Sequence, residues 1–253
     1  MAKKEKVERD PRGPFKQTRL KIRALKKKNA FIALGIDTLT IIFSALVISF
    51  IIKTFFLRSF YIPSGSMFDT LQINDRIIVN ELVPNTIPLE RGDVVVFKDP
   101  GGWLGTYPER PATHPLAQVG EWLMSVTGLS SPDNDQHLVK RVIGVGGDHV
   151  VCCDANNRIT INGKAIIEPY VAKGSNPSNT EFDVTVPKDS FWVMGDNRSN
   201  SEDSRYHGNT PGKGFVAKEF VVGRAFVISW PFAHFSWLDN FPDVFKNVPA
   251  PKP

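Results

Sequence analysis

The pattern of hydrophobic and polar positions divides the chain into two parts. From Ala30 to Ile52 the residues are almost all apolar, and Asp37 carries the only charge. A helix of that length rises roughly 34 Å, which is enough to cross the hydrocarbon core of a bilayer. After this run the period changes to short stretches of β-branched residues, which is typical of strands. We therefore predict a single N-terminal transmembrane helix over residues 30–56, followed by a mostly β domain over residues 57–238.

Eight short segments of the second part carry the strand pattern and are bounded by Asn, Gly and Pro. They are residues 75–80, 93–98, 137–145, 150–153, 158–161, 182–186, 191–194 and 220–230. A turn is expected at Glu90–Asp93, and the Asn162-Gly163 pair is typical of a tight hairpin. Because little helix separates these segments, the pattern favours an antiparallel sheet.

Two regions of the chain lack a clear period. Residues 99–136 form an irregular insertion rich in Gly, Pro and Trp, with a helix expected around 121–126. Loops of this length usually have a function or are mobile. Residues 239–253 form a Pro-rich tail that we expect to be loosely ordered.

The charge of the chain is concentrated at one end. Residues 1–29 contain twelve Lys and Arg against three Asp and Glu, whereas the whole chain carries only +5. The remaining residues are therefore net acidic, which argues against nucleic acid as a partner. A basic arm before an apolar span predicts a cytoplasmic N-terminus and an extracytoplasmic domain.

Two other interpretations of the apolar run are open. A cleaved signal peptide would have a shorter apolar core and a small-x-small cleavage site, but Thr54 to Phe60 are mostly large residues. The second interpretation is a buried helix of a soluble protein. The charges that flank the run fit a membrane span better than a buried helix.

Candidate chemistry begins with Ser66, which lies in the stretch Tyr61–Met67 just after the apolar run. A serine hydroxyl is a weak nucleophile unless a base accepts its proton, and the nearest histidine, His114, is far along the chain. In the strand 137–145, Lys140 shares its face with Leu138 and Val142. An apolar face lowers the pKa of a lysine, and a neutral amine can act as the base. The alternative is an edge lysine that reaches into solvent.

The stretch from Met194 to Tyr206 is dense in small polar side chains. Such a segment can place hydroxyls and carboxylates against a site, with Asp–Arg pairs fixing its shape. A solvated loop, or a cation site formed by Asp196, Glu202 and Asp203, is the alternative. The five histidines show no metal spacing, so we expect neither a metal nor another cofactor. Cys152 and Cys153 are the only cysteines, and either free thiols or a vicinal disulfide is open to them.

Together these stretches closely resemble the type I signal peptidase family, the membrane-anchored enzymes that remove signal peptides from secreted proteins. The resemblance covers the apolar span and most of residues 55–231. It is carried by four motifs in the family's order: YIPSGSMFDTL at 61–71, RGDVVVFK at 91–98, HLVKRVIGVGGD at 137–148 and GDNRSNSEDSR at 195–205. It implies a β-rich catalytic domain at the outer surface of the bacterial plasma membrane, anchored by one span.

The resemblance also implies residue roles. Ser66 would be the nucleophile and Lys140 the general base. The Ser64 hydroxyl and the Ser66 N–H would form the oxyanion hole, and Ser201 would orient the lysine amine. A supporting network would consist of Arg141, Asp196, Asp203 and Arg205. The implied partners are signal-peptide-bearing preproteins, cut after small-x-small sequences, and the lipid bilayer, and we expect a monomer.

One position departs from the family. Asp69 stands where the family commonly has proline, and losing a fixed φ angle is expected to loosen the turn behind Ser66. Because Asp is a good turn residue, we expect function to survive. Aromatic and apolar residues of the insertion and of the 230–237 region either contact the bilayer or pack in the protein; they are Trp103, Leu104, Trp122, Trp230, Phe232, Phe235 and Trp237.

Two other functional classes remain. Self-cleaving stress repressors share serine–lysine chemistry, but they predict a DNA-binding domain where the apolar run stands. A catalytically silent, membrane-anchored binding module predicts damage to the serine or lysine motif, and both motifs are intact.

Overall fold

The long apolar run forms one helix. The computed structural model of the protein describes residues 30–105 and 137–251, and α1 spans Ala30–Phe55. Its segment Phe31–Ile51 has a mean hydropathy of 2.3 and is long and apolar enough to cross a membrane. The hydroxyls of Thr40 and Ser44 donate to backbone carbonyls one turn earlier, both at 2.7 Å, so these polar groups are satisfied within the helix. The predicted helix is confirmed, whereas the basic arm 1–29 lies outside the described residues.

The chain divides into two compact units, and the second begins at Lys53. The larger of its two described sheets contains β4 (His137–Val145), the strand that carries Lys140. This sheet has the order β1-β2-β11-β3-β4-β9-β10, with β12 also pairing with β11. Its described strands are β1 Leu57–Tyr61, β2 Arg76–Asn80, β3 Val94–Lys98, β4 His137–Val145, β9 Ser190–Met194, β10 Val216–Ala217, β11 Val221–Trp230 and β12 Ser236–Trp237. All of their pairs are antiparallel. The predicted mostly β, antiparallel fold is confirmed.

A smaller sheet of four antiparallel strands has the order β7-β6-β5-β8. Its strands are β5 His149–Cys152, β6 Thr160–Ile161, β7 Lys164–Ala165 and β8 Phe182–Thr185. The chain passes from β4 to β5 through a tight corner at Gly146–Asp148. The buried Asp148 carboxylate fixes this corner, since it accepts from the Val145 N–H at 2.8 Å and pairs with Arg91 at 2.6 Å.

The eight predicted strand segments all contain or overlap a strand. The predicted tight hairpin is also confirmed, because Asn162 and Gly163 both have positive φ (52° and 80°) between β6 and β7. The turn before β3 forms as well, and its Gly92 has φ 91°. Among the described residues, the sequence failed to predict four strands, namely β1, β7, β10 and β12.

The expectation of a loosely ordered tail is wrong for residues 239–251. A short helix, α2, spans Pro242–Phe245, and Phe245 and Val248 are buried against the core beneath the smaller sheet. Burial of these two apolar side chains holds the segment despite its prolines.

The aromatic residues weighed for membrane contact divide into two groups. Trp103 is buried, so ordinary packing is correct for it. The other described aromatics are between 50% and 76% exposed: Trp230, Phe232, Phe235 and Trp237. Trp122 and the helix expected at 121–126 lie outside the described residues.

Candidate active site

The loop that carries Ser66 follows the edge strand β1. It is closed by backbone hydrogen bonds, including Phe68 N–H to Gly65 C=O at 3.1 Å and Leu71 N–H to Met67 C=O at 2.7 Å. Met67 and Leu71 are completely or almost completely buried in the core beneath β1 and β2. Ser66 itself is 9% exposed. The apolar side chains on its C-terminal side therefore fix the position of its hydroxyl.

Lys140 reaches the same point from β4. Its strand pairs with β3, where Lys140 lies opposite Val95, and the side chain is only 4% exposed. The Nζ atom donates a hydrogen bond to Ser66 Oγ at 2.7 Å. The predicted shared face with Leu138 and Val142 explains the burial, because those two side chains belong to a buried apolar cluster.

The environment of Lys140 favours the neutral amine. Burial lowers its pKa from 10.5 to about 8, although the negative charge of Asp203 opposes the shift. A neutral amine at hydrogen-bond distance from a hydroxyl can accept its proton, and this turns a serine into a nucleophile. The Ser64 hydroxyl also donates to Ser66 Oγ, at 3.4 Å, and Ser64 as a whole is an exposed residue. The arrangement can therefore support nucleophilic attack on a carbonyl.

The polar stretch after β9 holds the serine loop in place. Asn197 donates its backbone N–H to the Ser66 carbonyl at 3.1 Å and its side-chain amide to the Gly65 carbonyl at 2.9 Å. Thr70 donates to the Asp196 carboxylate at 2.6 Å. Sequence reasoning missed Asn197 and Thr70, although both lie inside motifs that it singled out.

Ser201 lies beside Ser66, and Gly195 makes this possible. A Cβ atom at Gly195 would overlap both Ser201 Oγ and the Ser66 carbonyl oxygen, so only glycine fits between them. Ser201 is buried, and its hydroxyl has no hydrogen-bond partner among the described residues. A buried hydroxyl of this kind is available to a group that moves within the site.

Buried ion pairs hold this stretch in place, and two of them involve residues of the expected supporting network. Arg141 contacts the Asp196 carboxylate at 2.7 Å, and Arg205 contacts that of Asp203 at 2.8 Å. Burial alone would raise the pKa of Asp203, but the hydrogen bonds and charge of Arg205 bring it below its usual range. Two of the three carboxylates considered as cation ligands, those of Asp196 and Asp203, are therefore already paired with arginine.

The turn at Asp69 is not loosened, contrary to the expectation from the missing proline. Its φ is 75°, a value that proline cannot adopt but that Asp tolerates. Its carboxylate accepts the Lys173 N–H at 3.0 Å and so ties the serine loop to the segment between β7 and β8. Elsewhere, Cys152 and Cys153 form a vicinal disulfide at the end of β5.

Comparison with known proteins identifies the class. The family profile described as "Signal peptidase, peptidase S26" matches residues 35–230. "Probable signal peptidase I" of Mycobacterium leprae is 34% identical over 213 residues, which cover 74% of this chain and 73% of that protein. "Signal peptidase I" of Mycobacterium tuberculosis is 36% identical over 206 residues, with coverages of 74% and 69%. A crystal structure of a signal peptidase I from Enterococcus faecalis is 27% identical, covers 54% of this chain and 95% of its own, and has a TM-score of 0.33.

The family profile and the two mycobacterial relatives place the chain among peptidases. It belongs to the signal peptidase family, peptidase S26. The resemblance drawn from the four sequence motifs is confirmed at the level of the family.

Proposed function

We propose that the protein is a membrane-anchored serine endopeptidase that removes N-terminal signal peptides from exported preproteins. The observation that carries this proposal is the 2.7 Å hydrogen bond between two buried side chains, Lys140 and Ser66. Family membership supports the reaction class, and the lowered pKa of Lys140 supports its role as the base.

In the first half of the reaction, Lys140 takes the hydroxyl proton of Ser66 as Ser66 Oγ attacks the scissile carbonyl carbon. The negative charge that develops on the carbonyl oxygen is stabilised by the Ser66 N–H and the Ser64 hydroxyl, which form the oxyanion hole. Lys140 then gives its proton to the leaving amine, and the mature protein departs. The signal peptide remains as an acyl group on Ser66.

In the second half, Lys140 removes a proton from a water molecule that attacks the acyl-enzyme. Ser66 leaves and recovers its proton from Lys140. We also propose that Ser201 orients the amine of Lys140, because its buried hydroxyl has no hydrogen-bond partner among the described residues and is free to accept one from that amine. Arg141, Asp196, Asp203 and Arg205 act as positioning residues, because their ion pairs fix the segment that contacts the serine loop.

The substrate is proposed to lie extended between β1 and the first half of β4. A cavity of about 260 Å³ separates these segments, and Ser66 and Lys140 both line it. The pairing of β9 with β4 starts only at Arg141. This small cavity supports cleavage after small-x-small sequences, because larger side chains are excluded sterically.

Helix α1 is proposed to be the single membrane anchor, with the basic arm in the cytoplasm and residues 57–238 on the extracytoplasmic face of the bacterial plasma membrane. Its length and mean hydropathy support an anchor, and the charge of the arm supports this orientation. The partners are therefore preproteins and the lipid bilayer, and we propose that the enzyme acts as a monomer.

Cleavage of a purified preprotein by the full chain in detergent tests the proposal. Wild type should cut after a small-x-small sequence, read by mass spectrometry of the new N-terminus, whereas Ser66→Ala and Lys140→Met should lose at least about 10³-fold in kcat. Lys140→Met removes a buried ionisable group and should leave the melting temperature unchanged or higher. Ser201→Ala should lower kcat more than it changes KM. Full activity of folded Ser66→Ala or Lys140→Met would remove that residue from the mechanism.

A further inference from the structure

The insertion after β3 contributes a side chain to the cavity at the candidate active site. Leu104 lines the same cavity of about 260 Å³ as Ser66 and Lys140. It comes from a loop, residues 99–105, whose role the reaction scheme above leaves unexplained. The loop nevertheless has a defined conformation, and three sets of contacts hold Leu104 against the cavity.

The first set of contacts is made by Asp99. Its carboxylate accepts backbone N–H groups from Gly101 at 2.8 Å, Trp103 at 3.0 Å and Leu104 at 3.1 Å. Burial alone would raise the pKa of Asp99, but these hydrogen bonds lower it below its usual range, so the carboxylate stays charged at neutral pH. One side chain thus fixes the backbone of Leu104 directly.

The second set is made by Trp103, which is 6% exposed. Its ring stacks on that of His207 with centroids 4.3 Å apart, and it meets the edge of Phe97 at 5.6 Å. The third set is made by Leu104 itself, which packs against the apolar cluster that contains Leu138 and Val95. A side chain held in this way presents a fixed wall rather than a mobile loop tip.

The position of this wall along the cavity follows from the strand register. Lys98, the last residue of β3, pairs with His137, the first residue of β4. At roughly 3.3 Å per residue, His137 lies about 10 Å from Lys140. The loop therefore leaves the sheet at the end of the cavity away from the reacting hydroxyl. In an extended substrate, the third residue before the cut lies about 7 Å beyond the first.

We infer that Leu104 is a specificity-determining residue, which limits the size of the third substrate residue before the cut, and that Asp99 is the positioning residue that holds it. This inference rests on the proposed function, because it concerns the substrate of the same site. It assigns to the start of the insertion a part in substrate selection.

The test uses precursor peptides that differ only in the third residue before the cut: Ala, Val, Leu or Phe. The full-length enzyme in detergent is compared with Leu104→Ala. The wider pocket should raise kcat/KM for the Leu peptide relative to the Ala peptide by about 10-fold, the scale set by removing a few methylenes from a pocket wall. Leu104→Phe should shift the ratio in the opposite direction and serves as the second variant if Leu104→Ala fails to fold.

The matched control is Ile167→Ala, which removes an exposed apolar side chain that does not line the cavity and should leave the ratio unchanged. Asp99→Ala should relax the same preference mainly through KM, and Asp99→Asn, which retains one acceptor oxygen, should restore part of it.

Ratios equal to wild type in folded Leu104→Ala and Leu104→Phe would overturn the inference. A second peptide series varies only the first residue before the cut, and an effect of Leu104→Ala confined to that series would overturn the assignment to the third position. Cleavage that persists in Ser66→Ala would instead overturn the proposed function itself, so the two failures are distinguishable.

Discussion

At the scale of single residues, the protonation state of Lys140 is expected to control the rate. The pKa of Lys140 is about 8 in the enzyme without substrate, so the neutral amine that acts as the base is the minor form at neutral pH. Below that value kcat/KM should fall about 10-fold for each pH unit, and above it the rate should level off. A pH profile of peptide cleavage measures this directly. Circular dichroism at the same pH values shows whether the fold persists, and a profile that stays flat down to pH 6 in folded enzyme would exclude Lys140 as the base.

A second residue-scale prediction concerns Gly195, where a side chain has no room. Gly195→Ala places a methyl group against the Ser66 carbonyl and the Ser201 hydroxyl, and the backbone oxygen can move only if the serine loop moves with it. We expect a loss in kcat of at least about 10²-fold, because small displacements of a nucleophile are costly. Gly65→Ala is the matched control, since its Cβ would meet only Asn200 at 4.0 Å. Equal kcat values for Gly195→Ala and wild type would show that the loop tolerates displacement.

The proximity of Ser66 and Lys140 could be anticipated from the sequence, whereas the contacts of Asn197 could not. Alternation along β4 is a local property, so it identifies the face on which Lys140 lies. The hydrogen bonds from Asn197 to the serine loop join residues more than 130 positions apart. No local period reports such a contact, because it depends on how the sheet brings the loop after β1 to the segment after β9.

At the scale of secondary-structure elements, the buried pair Arg141–Asp196 links β4 to the segment after β9. Both side chains are 0% exposed, and Arg141 also donates to the Gly92 carbonyl before β3 at 2.6 Å. Removing one charge leaves the other buried without compensation, at a cost of about 3–5 kcal/mol. Asp196→Asn should therefore lower the free energy of unfolding by that order and reduce activity as well, because Thr70 loses its charged acceptor.

Chemical denaturation of Asp196→Asn measures the cost, with Asp243→Asn as the control. Asp243 pairs with Lys246 at 3.4 Å on the surface, where an isolated ion pair contributes little to stability. Its substitution should therefore leave the free energy of unfolding unchanged. Equal stabilities of Asp196→Asn and wild type would show that the buried pair is dispensable for linking the two elements.

The strands that the sequence failed to predict share a physical cause. β1 follows directly on an apolar helix without a turn signal, and only Phe60 among its residues is buried. β7, β10 and β12 have two residues each, so their conformation is imposed by the partner strand rather than by their own propensity. The strands recovered from sequence, including the two-residue β6, lie in runs rich in β-branched or aromatic residues, for which burial and propensity agree.

At the scale of the whole molecule, the chain divides into two units of different character. Residues 1–52 contain an apolar helix without a buried face, and Lys53–Pro253 form a unit with its own cores. All the groups of the proposed mechanism lie in the second unit. The chemistry is therefore expected to be separable from the membrane anchor, and the anchor should matter for access to membrane-held substrates.

Deletion of residues 1–52 tests this separation. The truncated protein should move from the membrane to the soluble fraction after an alkaline wash, because it has lost about 20 apolar residues that span a bilayer. It should keep kcat within about 10-fold on a short peptide in detergent, but cleave a vesicle-bound preprotein much more slowly, since membrane residence concentrates enzyme and substrate. Replacing α1 by an unrelated apolar helix of the same length should restore rapid cleavage of the vesicle-bound preprotein. Failure of that replacement, with normal peptide cleavage, would show that α1 contacts the substrate rather than only holding the enzyme in the membrane.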